Sequence, residues 1–287
     1  MAVTEGHGGG SPVLVIGGTG KTGRRVAARL AARGRTAVAA SRSGERHFDW
    51  RDRTTWELAV AGVSAAYLVD AQSEDAAALM ADFARLAARS GVGRLVLLSA
   101  RAWEQSRDDA AFAVERAVRD SGAAWTILRP TWFAQNFGEE SFLRDAVAAG
   151  RVELPTGQGL EPFIDAEDIA ECAAAALADD GHEGEVYALS GPRLMTFGDG
   201  VGEIAAAVGR EIAYVPVSKP QYVTHLLGRG FDEGYAEFAA ELLGAVADDG
   251  GAYLSDGVER LLGRPPRDFA EYVARTLPSG VWQRPAD

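Results

Sequence analysis

The sequence is poor in residues that build covalent or metal-bound frameworks. It has one cysteine, Cys172, and four widely separated histidines, so neither an internal disulfide nor a site of closely spaced metal ligands is expected. Cys172 lies in an alanine-rich helical pattern and is interpreted as a small core residue. Lysine occurs only as Lys21 and Lys219, which leaves two candidates for any lysine-dependent chemistry. Disulfide-stabilised and cysteine–zinc proteins are therefore excluded.

Long hydrophobic runs are also missing. No apolar stretch approaches the roughly 18 residues of a membrane-spanning helix. Residues 1–11 are rich in glycine and unlike a signal peptide, and we expect them to be disordered. The sequence thus predicts a cytoplasmic protein with no membrane partner.

Positive charge is in short supply. The formal net charge is −12 and the pI is about 4.9, and such a field repels nucleic acid. We expect a small-molecule substrate and no nucleic-acid partner, and the sequence leaves open a homodimer or a protein partner.

The first half of the chain alternates apolar strands with helical patterns, which predicts a parallel sheet covered on both faces. Predicted strands cover 13–16, 36–40, 46–48, 65–69, 94–98 and 125–128; predicted helices cover 21–33, 53–61, 74–90 and 109–121. The fold class is α/β, a Rossmann-type doubly wound sheet with a smaller C-terminal substrate lobe. We predict a dinucleotide-binding domain over 12–135 and a lobe over 136–287, with 163–190 returning to the main domain.

The most informative stretch is the glycine turn after the first strand. Gly17, Gly20 and Gly23 are three residues apart between an apolar strand and a helical pattern, which is the context of a dinucleotide-binding fingerprint. Gly17 would make the tight turn, Gly20 would let a pyrophosphate approach, and Gly23 would let helix and strand pack closely. A phosphate-binding loop of nucleotide triphosphatases would need its first glycine at position 15, which is Val15.

The end of the second strand indicates which cofactor is bound. An acidic residue there would favour NADH, but the chain has Ser41 and Arg42, and Arg42 can bind a 2′-phosphate. Arg24 or Arg25 could assist. We therefore predict NADP(H), with Asp49 and Trp50 near the adenine; Trp50 could equally pack in the core.

Two later stretches complete a family resemblance. They are residues 114–137, VERAVRDSGAAWTILRPTWFAQNF, and residues 163–170, FIDAEDIA. Together with the glycine turn and the Arg42 loop, they resemble the NmrA-like branch of the atypical short-chain dehydrogenase/reductases, above all the ergot-alkaloid-type reductases of secondary metabolism and their bacterial relatives. The resemblance implies an NAD(P)-binding oxidoreductase in which residues 131–133 lie along the nicotinamide and the 163–170 stretch supports the pocket floor.

One feature of short-chain dehydrogenases is missing. Their proton donor is a Tyr four residues before a Lys, and the Lys lowers the pKa of the Tyr. Phe112 and Arg116 stand at or near that spacing here, and Phe112 cannot donate a proton. An iminium or quinone acceptor would need little help from a protein acid.

The candidate site residues follow from these arguments. The predicted catalytic residues are Ser99 and Asp165, although Ser99 could make a structural hydrogen bond and Asp165 could cap a helix. The predicted substrate-pocket residues are Arg101, Phe133, Phe137 and Tyr222, the aromatic ones being equally suited to core packing. The predicted cofactor-binding residues are Gly17, Thr19, Gly20, Lys21, Thr22, Gly23, Ser41, Arg42, Asp49, Trp50, Val69, Ser99, Ala100, Thr131, Trp132 and Phe133.

Three functions are in competition. The leading hypothesis is an NADPH-dependent reductase of an aromatic, quinone-like or imine-type metabolite. The second is a redox sensor that binds NADP(H) without turnover, which the missing Tyr–Lys pair favours. The third is an isomerase or cyclase that keeps its cofactor as a structural group.

Overall fold

The computed structural model describes residues 11–44, 46–106, 109–248 and 250–284. Residues 1–10 of the segment expected to be disordered lie outside this description. The described residues form two compact units: the first includes the residues up to 130, 166–188 and 257–263, and the second includes 131–165, 189–256 and the residues from 264 onward. The sequence predicted a division after residue 135, with 163–190 returning to the first domain.

The first unit is built on a seven-stranded sheet. Its strands are β1 (Val13–Ile16), β2 (Ala37–Ser41), β3 (Arg46–His47), β4 (Ala65–Leu68), β5 (Arg94–Leu98), β6 (Ala124–Pro130) and β8 (Glu185–Leu189). Their order in the sheet is β3-β2-β1-β4-β5-β6-β8, and neighbouring strands from β3 to β6 pair in parallel. The Rossmann-type fold predicted from the sequence is confirmed.

Helices connect these strands and cover them. They are α1 (Gly23–Ala32), α2 (Trp56–Val60), α3 (Ala76–Arg89), α4 (Ala102–Ser106), α5 (Asp109–Arg119), α8 (Ala166–Ala178) and α12 (Gly257–Leu262). The sequence analysis missed the short α4. Strands β1 and β4 are buried along their whole length, as their continuous apolar runs require.

The second unit contains a small parallel sheet of β7 (Arg151–Leu154) and β9 (Ala213–Pro216). The sequence analysis missed β7, whose alternation of polar and apolar residues is only four residues long. The helices are α6 (Asn136–Glu139), α7 (Ser141–Ala149), α9 (Phe197–Val208), α10 (Lys219–Gly228), α11 (Glu233–Gly244) and α13 (Phe269–Thr276).

Local capping explains where three of these helices begin. Thr196 with Asp199, Ser218 with Gln221, and Asp268 with Glu271 form capping boxes for α9, α10 and α13. In each box, one side chain accepts from the backbone three residues away and the other reaches back. The local sequence thus marks these helix starts, and at α13 the capping Asp268 is also bound by Arg193 at 2.7 Å.

Aromatic rings fill the centre of the second unit. The rings of Phe137, Phe163, Phe197 and Phe269 are buried and have centroids 4.8–5.7 Å apart. The indole N–H of Trp282 donates to the carbonyl oxygen of Phe137 at 2.8 Å. These contacts fix the chain that follows residue 131.

Candidate functional site

The glycine turn joins β1 to α1 with little space to spare. Gly17 has φ +68°, which a residue with a side chain rarely adopts. A Cβ on Gly23 would lie 2.2 Å from the carbonyl oxygen of Gly17, so only glycine lets α1 begin this close to the turn. Gly20 is exposed, and a Cβ there would meet only the Gly17 oxygen within 4 Å, at 3.1 Å. The outer surface of the turn is therefore open, as a diphosphate requires.

Gly18 is a residue that the sequence reasoning missed. It is buried, and a Cβ there would lie 2.6 Å from the Cβ of Ala39 on β2. The glycine and the alanine together let the turn cross the neighbouring strand. The Gly-Gly pair at 17 and 18 was the available signal.

The remaining turn residues differ in their exposure. Thr19 is exposed, Lys21 is half-buried and Thr22 is 6% exposed. Thr22 packs beside the fully buried phenol of Tyr67 on β4, and burial raises the pKa of that phenol. Thr22 therefore supports the turn from below, while Thr19 and Gly20 form its surface.

The end of β2 presents an arginine to solvent. Arg42 is exposed, and within the described residues its guanidinium makes no hydrogen bond or ion pair. The Ser41 hydroxyl, expected to help bind a 2′-phosphate, is instead buried 2.9 Å from where a Cβ of Gly44 would be. Arg25 binds Glu167 at 2.8 Å. Arg42 is thus available to bind a 2′-phosphate at the end of β2, the role predicted for it.

Asp49 and Trp50 take structural contacts. The backbone of Asp49 accepts from the indole N–H of Trp56 at 3.0 Å. The Trp50 ring packs edge-on against Phe48 and Phe83, at centroid distances of 5.0 and 5.3 Å. Trp50 therefore packs in the core of the first unit, which was the alternative to a position near the adenine, because its ring contacts Phe48 and Phe83.

The loop after β4 contacts the glycine turn. A Cβ on Gly17 would lie 2.9 Å from a methyl of Val69. Burial raises the pKa of Asp70, whose carboxylate accepts from the backbone N–H of Gln72 at 3.2 Å. Gln72 has φ +49° and is the non-glycine residue with positive φ among the described residues. Strain of this kind clusters at functional sites, and no sequence pattern predicted it here.

The end of β5 carries a buried ionic network. The Ser99 hydroxyl donates to Glu115 Oε1 at 2.8 Å, and Arg129 binds the same carboxylate through Nε and Nη2 at 2.8 and 2.6 Å. Ala100 follows at intermediate exposure, whereas Arg101, expected in a substrate pocket, is 1% exposed. Ser99 thus makes the structural hydrogen bond that the sequence left as its alternative.

Residues 131–133 open the second unit. Thr131 is buried, and its hydroxyl donates to the carbonyl oxygen of Pro162 at 2.7 Å. Trp132 lies edge-on to Phe197 at 5.7 Å, and Phe133 bridges to Ile164 through the backbone. Trp132 and Phe133 keep part of their surface exposed.

The other predicted residues of the second unit are deeply buried. Asp165 is 1% exposed, accepts from Gln135 Nε2 at 2.7 Å and pairs with Arg275. Phe137 has no exposed surface, because the four-ring core encloses it, so it packs the core instead of lining a pocket. Tyr222 is 2% exposed, stacks beside His225 and has its pKa raised by burial.

Two features are absent from the described residues. They contain no group of three or more His, Cys, Asp or Glu side chains arranged to hold a metal ion. None of their helices is long and apolar enough to cross a membrane.

The chain is similar to several known proteins over nearly its whole length. It is 33% identical to an uncharacterized oxidoreductase, YesF, of Bacillus subtilis, over 92% of this chain and 94% of that protein. It is 32% identical to festuclavine synthase I of Penicillium roqueforti, over 91% of this chain and 96% of that protein. The crystal structure of Citrobacter sp. triphenylmethane reductase complexed with NADP(H) matches with a TM-score of 0.80 and 24% identity, over 92% and 99% of the two chains.

No protein-family model matches the sequence. The two curated relatives nevertheless exceed 30% identity over more than nine-tenths of the chain. The glycine turn follows β1, as predicted, and α5 carries Phe112 and Arg116 where short-chain dehydrogenases have a Tyr–Lys pair. The chain belongs to the NmrA-like, atypical short-chain dehydrogenase/reductase type of oxidoreductases.

Proposed function

We propose that the protein is an NADPH-dependent reductase that transfers hydride to an aromatic, quinone-like or imine-type metabolite. The observation that carries the proposal is the exposed guanidinium of Arg42 on the same sheet edge as an open glycine turn. The turn supplies backbone for a diphosphate, and Arg42 supplies the positive charge that distinguishes a 2′-phosphate from a hydroxyl.

The glycine turn suits a dinucleotide. Gly17, Gly20 and Gly23 stand where a side chain would strain the turn or crowd it. Bound NADPH would supply the hydride, and the protein would orient the cofactor and exclude water. Thr19 and Gly20 would hold the diphosphate, and Arg42 would hold the 2′-phosphate.

The substrate class follows from what α5 lacks. Phe112 replaces the tyrosine that would protonate a simple ketone, so the proposed acceptors are already electron-poor. Triphenylmethane reductase, by its name, reduces an aromatic compound. That name supports the proposed class.

The proposal is tested by fluorescence titration of the purified protein with NADPH and with NADH. We expect Arg42→Ala to weaken NADPH binding about tenfold or more, because a charge-assisted contact to phosphate is lost, and to change NADH binding less than twofold. Arg89→Ala is the matched control, since Arg89 is also exposed but ends α3, where the chain returns to the amino end of β5.

The outcomes separate the competing functions. Binding of NADPH followed by its oxidation with a quinone supports the reductase. Binding that differs between NADPH and NADP⁺, with no oxidation across quinones and imines, supports the redox sensor. Isomerisation or cyclisation at constant NADPH would support the third function, and binding of neither nucleotide would contradict all three.

We further propose a cytoplasmic location. The sequence has a single cysteine, Cys172, so no disulfide can form within the chain, which suits a reducing compartment. Fractionation of cells that express the chain would test this.

A further inference from the structure

Glu115 is the centre of a buried network that the proposed function does not yet use. Its side chain is 2% exposed and accepts four hydrogen bonds. Oε1 accepts from Ser99 Oγ and Arg129 Nε, each at 2.8 Å, and Oε2 accepts from Arg129 Nη2 at 2.6 Å and Arg119 Nη2 at 3.2 Å. We call these four residues the Glu115 cluster.

The hydrogen bonds of the cluster fix the direction of the Ser99 hydroxyl. Each carboxylate oxygen of Glu115 receives two donors, so its acceptor positions are filled and it has no proton to return. Ser99 is therefore the donor in its bond with Glu115, and its hydroxyl hydrogen is committed there. What remains on Ser99 Oγ is its lone-pair side, and Ser99 is only half-buried.

The arginine partner strengthens this arrangement. Hydrogen bonding to Glu115 is the main cause that raises the pKa of Arg129, and Glu104 binds the same guanidinium. The guanidinium also lies 5.3 Å from the centroid of the Phe112 ring. Ser99, β6 and α5 are thus connected through one charged pair.

Ser99 lies on the sheet edge that carries the glycine turn. Strands β1, β4 and β5 are parallel neighbours, with Leu68 opposite Leu97, so the loops after them emerge side by side. Adjacent strands are about 4.8 Å apart, which puts β5 roughly 10 Å from β1. A dinucleotide whose diphosphate lies at the turn extends along this edge.

We propose that Ser99 acts as a hydrogen-bond acceptor for a hydroxyl or amide donor of the bound dinucleotide, with Glu115 as the positioning residue that points the Ser99 proton inward. The inference rests on the proposed function. It replaces the prediction that Ser99 is the proton donor, because a hydroxyl whose hydrogen is held by a filled carboxylate has none to deliver to substrate.

This assignment narrows the substrate class. An iminium ion that accepts hydride at its carbon becomes a neutral amine and needs no proton. A quinone becomes a hydroquinone anion that takes its proton from water. Both acceptors suit a strand end that offers an oxygen lone pair in place of an acid.

The first test is Ser99→Ala, measured by NADPH binding and by the pH profile of quinone reduction. We expect the Kd for NADPH to rise about three- to tenfold, as for one lost hydrogen bond. We expect kcat to fall less than tenfold, with an unchanged pH profile. Ser90→Ala is the control, since Ser90 is exposed at the far end of α3.

The opposite pattern would overturn the proposal. If Ser99 were the acid, Ser99→Ala would lower kcat by about 10²–10⁴-fold and leave the Kd for NADPH unchanged. An unchanged Kd with unchanged kcat would also refute it. Failure of the wild type to bind NADPH would instead refute the proposed function.

The second test is a double-mutant cycle with Glu115→Gln. The amide can donate to Ser99 Oγ and so reverse the hydroxyl, and we expect a rise in Kd similar to that of Ser99→Ala. In the Ser99→Ala background, Glu115→Gln should add less than twofold, because its effect passes through Ser99. Full additivity would refute the positioning role. If Glu115→Gln does not fold, the Ser99→Ala result alone decides whether Ser99 is acceptor or acid.

Discussion

Two buried carboxylates, one in each unit, are held in different ways. Glu115 and Asp165 are each 1% exposed. Glu115 forms a salt bridge with Arg129, whose side chain is 13% exposed. Asp165 forms one with Arg275, whose side chain is 43% exposed. The guanidinium of Arg129 meets its carboxylate with two nitrogens, and that of Arg275 meets its carboxylate with one.

The two arrangements differ in how rigidly they hold each carboxylate. A bidentate pair shielded from water fixes both partners, while a partly solvated arginine can be replaced by water. The end of β5 is therefore a fixed point of the first unit. The position of Asp165 in the second unit rests partly on a side chain that solvent reaches.

The largest fall in the free energy of unfolding is expected when Arg129, the arginine shielded from water, is removed. Arg129→Ala leaves Glu115 buried without its main counter-charge, and we expect a loss of about 3–5 kcal/mol in the free energy of unfolding. Urea denaturation followed by tryptophan fluorescence measures it. Arg116→Ala, an exposed arginine of the same region that donates to the carbonyl of Asp109, should stay within about 0.5 kcal/mol. Equal effects of the two variants would contradict the comparison.

A smaller effect is expected in the second unit. Arg275→Ala should cost about 1–3 kcal/mol in the same assay, because water can take the place of the guanidinium and Gln135 still donates to Asp165. A loss as large as that of Arg129→Ala would show that the two carboxylates are equally fixed.

The smallest change in stability is expected at a third carboxyl group, that of Asp70. Within the described residues, Asp70 makes no ion pair, and burial raises its pKa above 3.8. The folded state therefore holds the proton more tightly than the unfolded state, and stability falls as pH rises from 3.8 to the raised value. Asp70→Asn should remove that fall, with a smaller change than Arg275→Ala. Denaturation at several pH values checks this, and parallel curves for wild type and variant would contradict it.

Local signals in the sequence predicted the first unit well. The glycine turn, the apolar strands and the α/β rhythm each lie within a few adjacent residues, so a linear pattern contains them. The close approach of Gly18 to Ala39 depends on how the turn meets a neighbouring strand, and the Gly-Gly pair at 17 and 18 was its one signal along the chain. The positive φ of Gln72 had no such signal.

The site in the second unit was harder to predict for the same reason. Asp165 finds Arg275 across 110 residues of sequence, and Phe137 finds Phe269 in the same way. The sequence pattern around an aromatic residue is the same whether the residue lines a pocket or packs in a core. Only the rings that surround it in the fold distinguish the two cases. Ser99 was singled out by its position at the end of a strand, but the direction of its hydroxyl depends on Glu115, which lies on helix α5.

The surroundings of Phe112 bear on how this chemistry can change over evolutionary time. Phe112→Tyr with Arg116→Lys would restore the letters of a Tyr–Lys pair. The ring at 112 is covered by the Arg129 guanidinium, and the side chain at 116 is exposed and reaches back to the first turn of its own helix. A lysine there would stand on the outer face of α5. These two substitutions alone would therefore not restore a working Tyr–Lys pair, because the Arg129 guanidinium would still cover the ring at position 112.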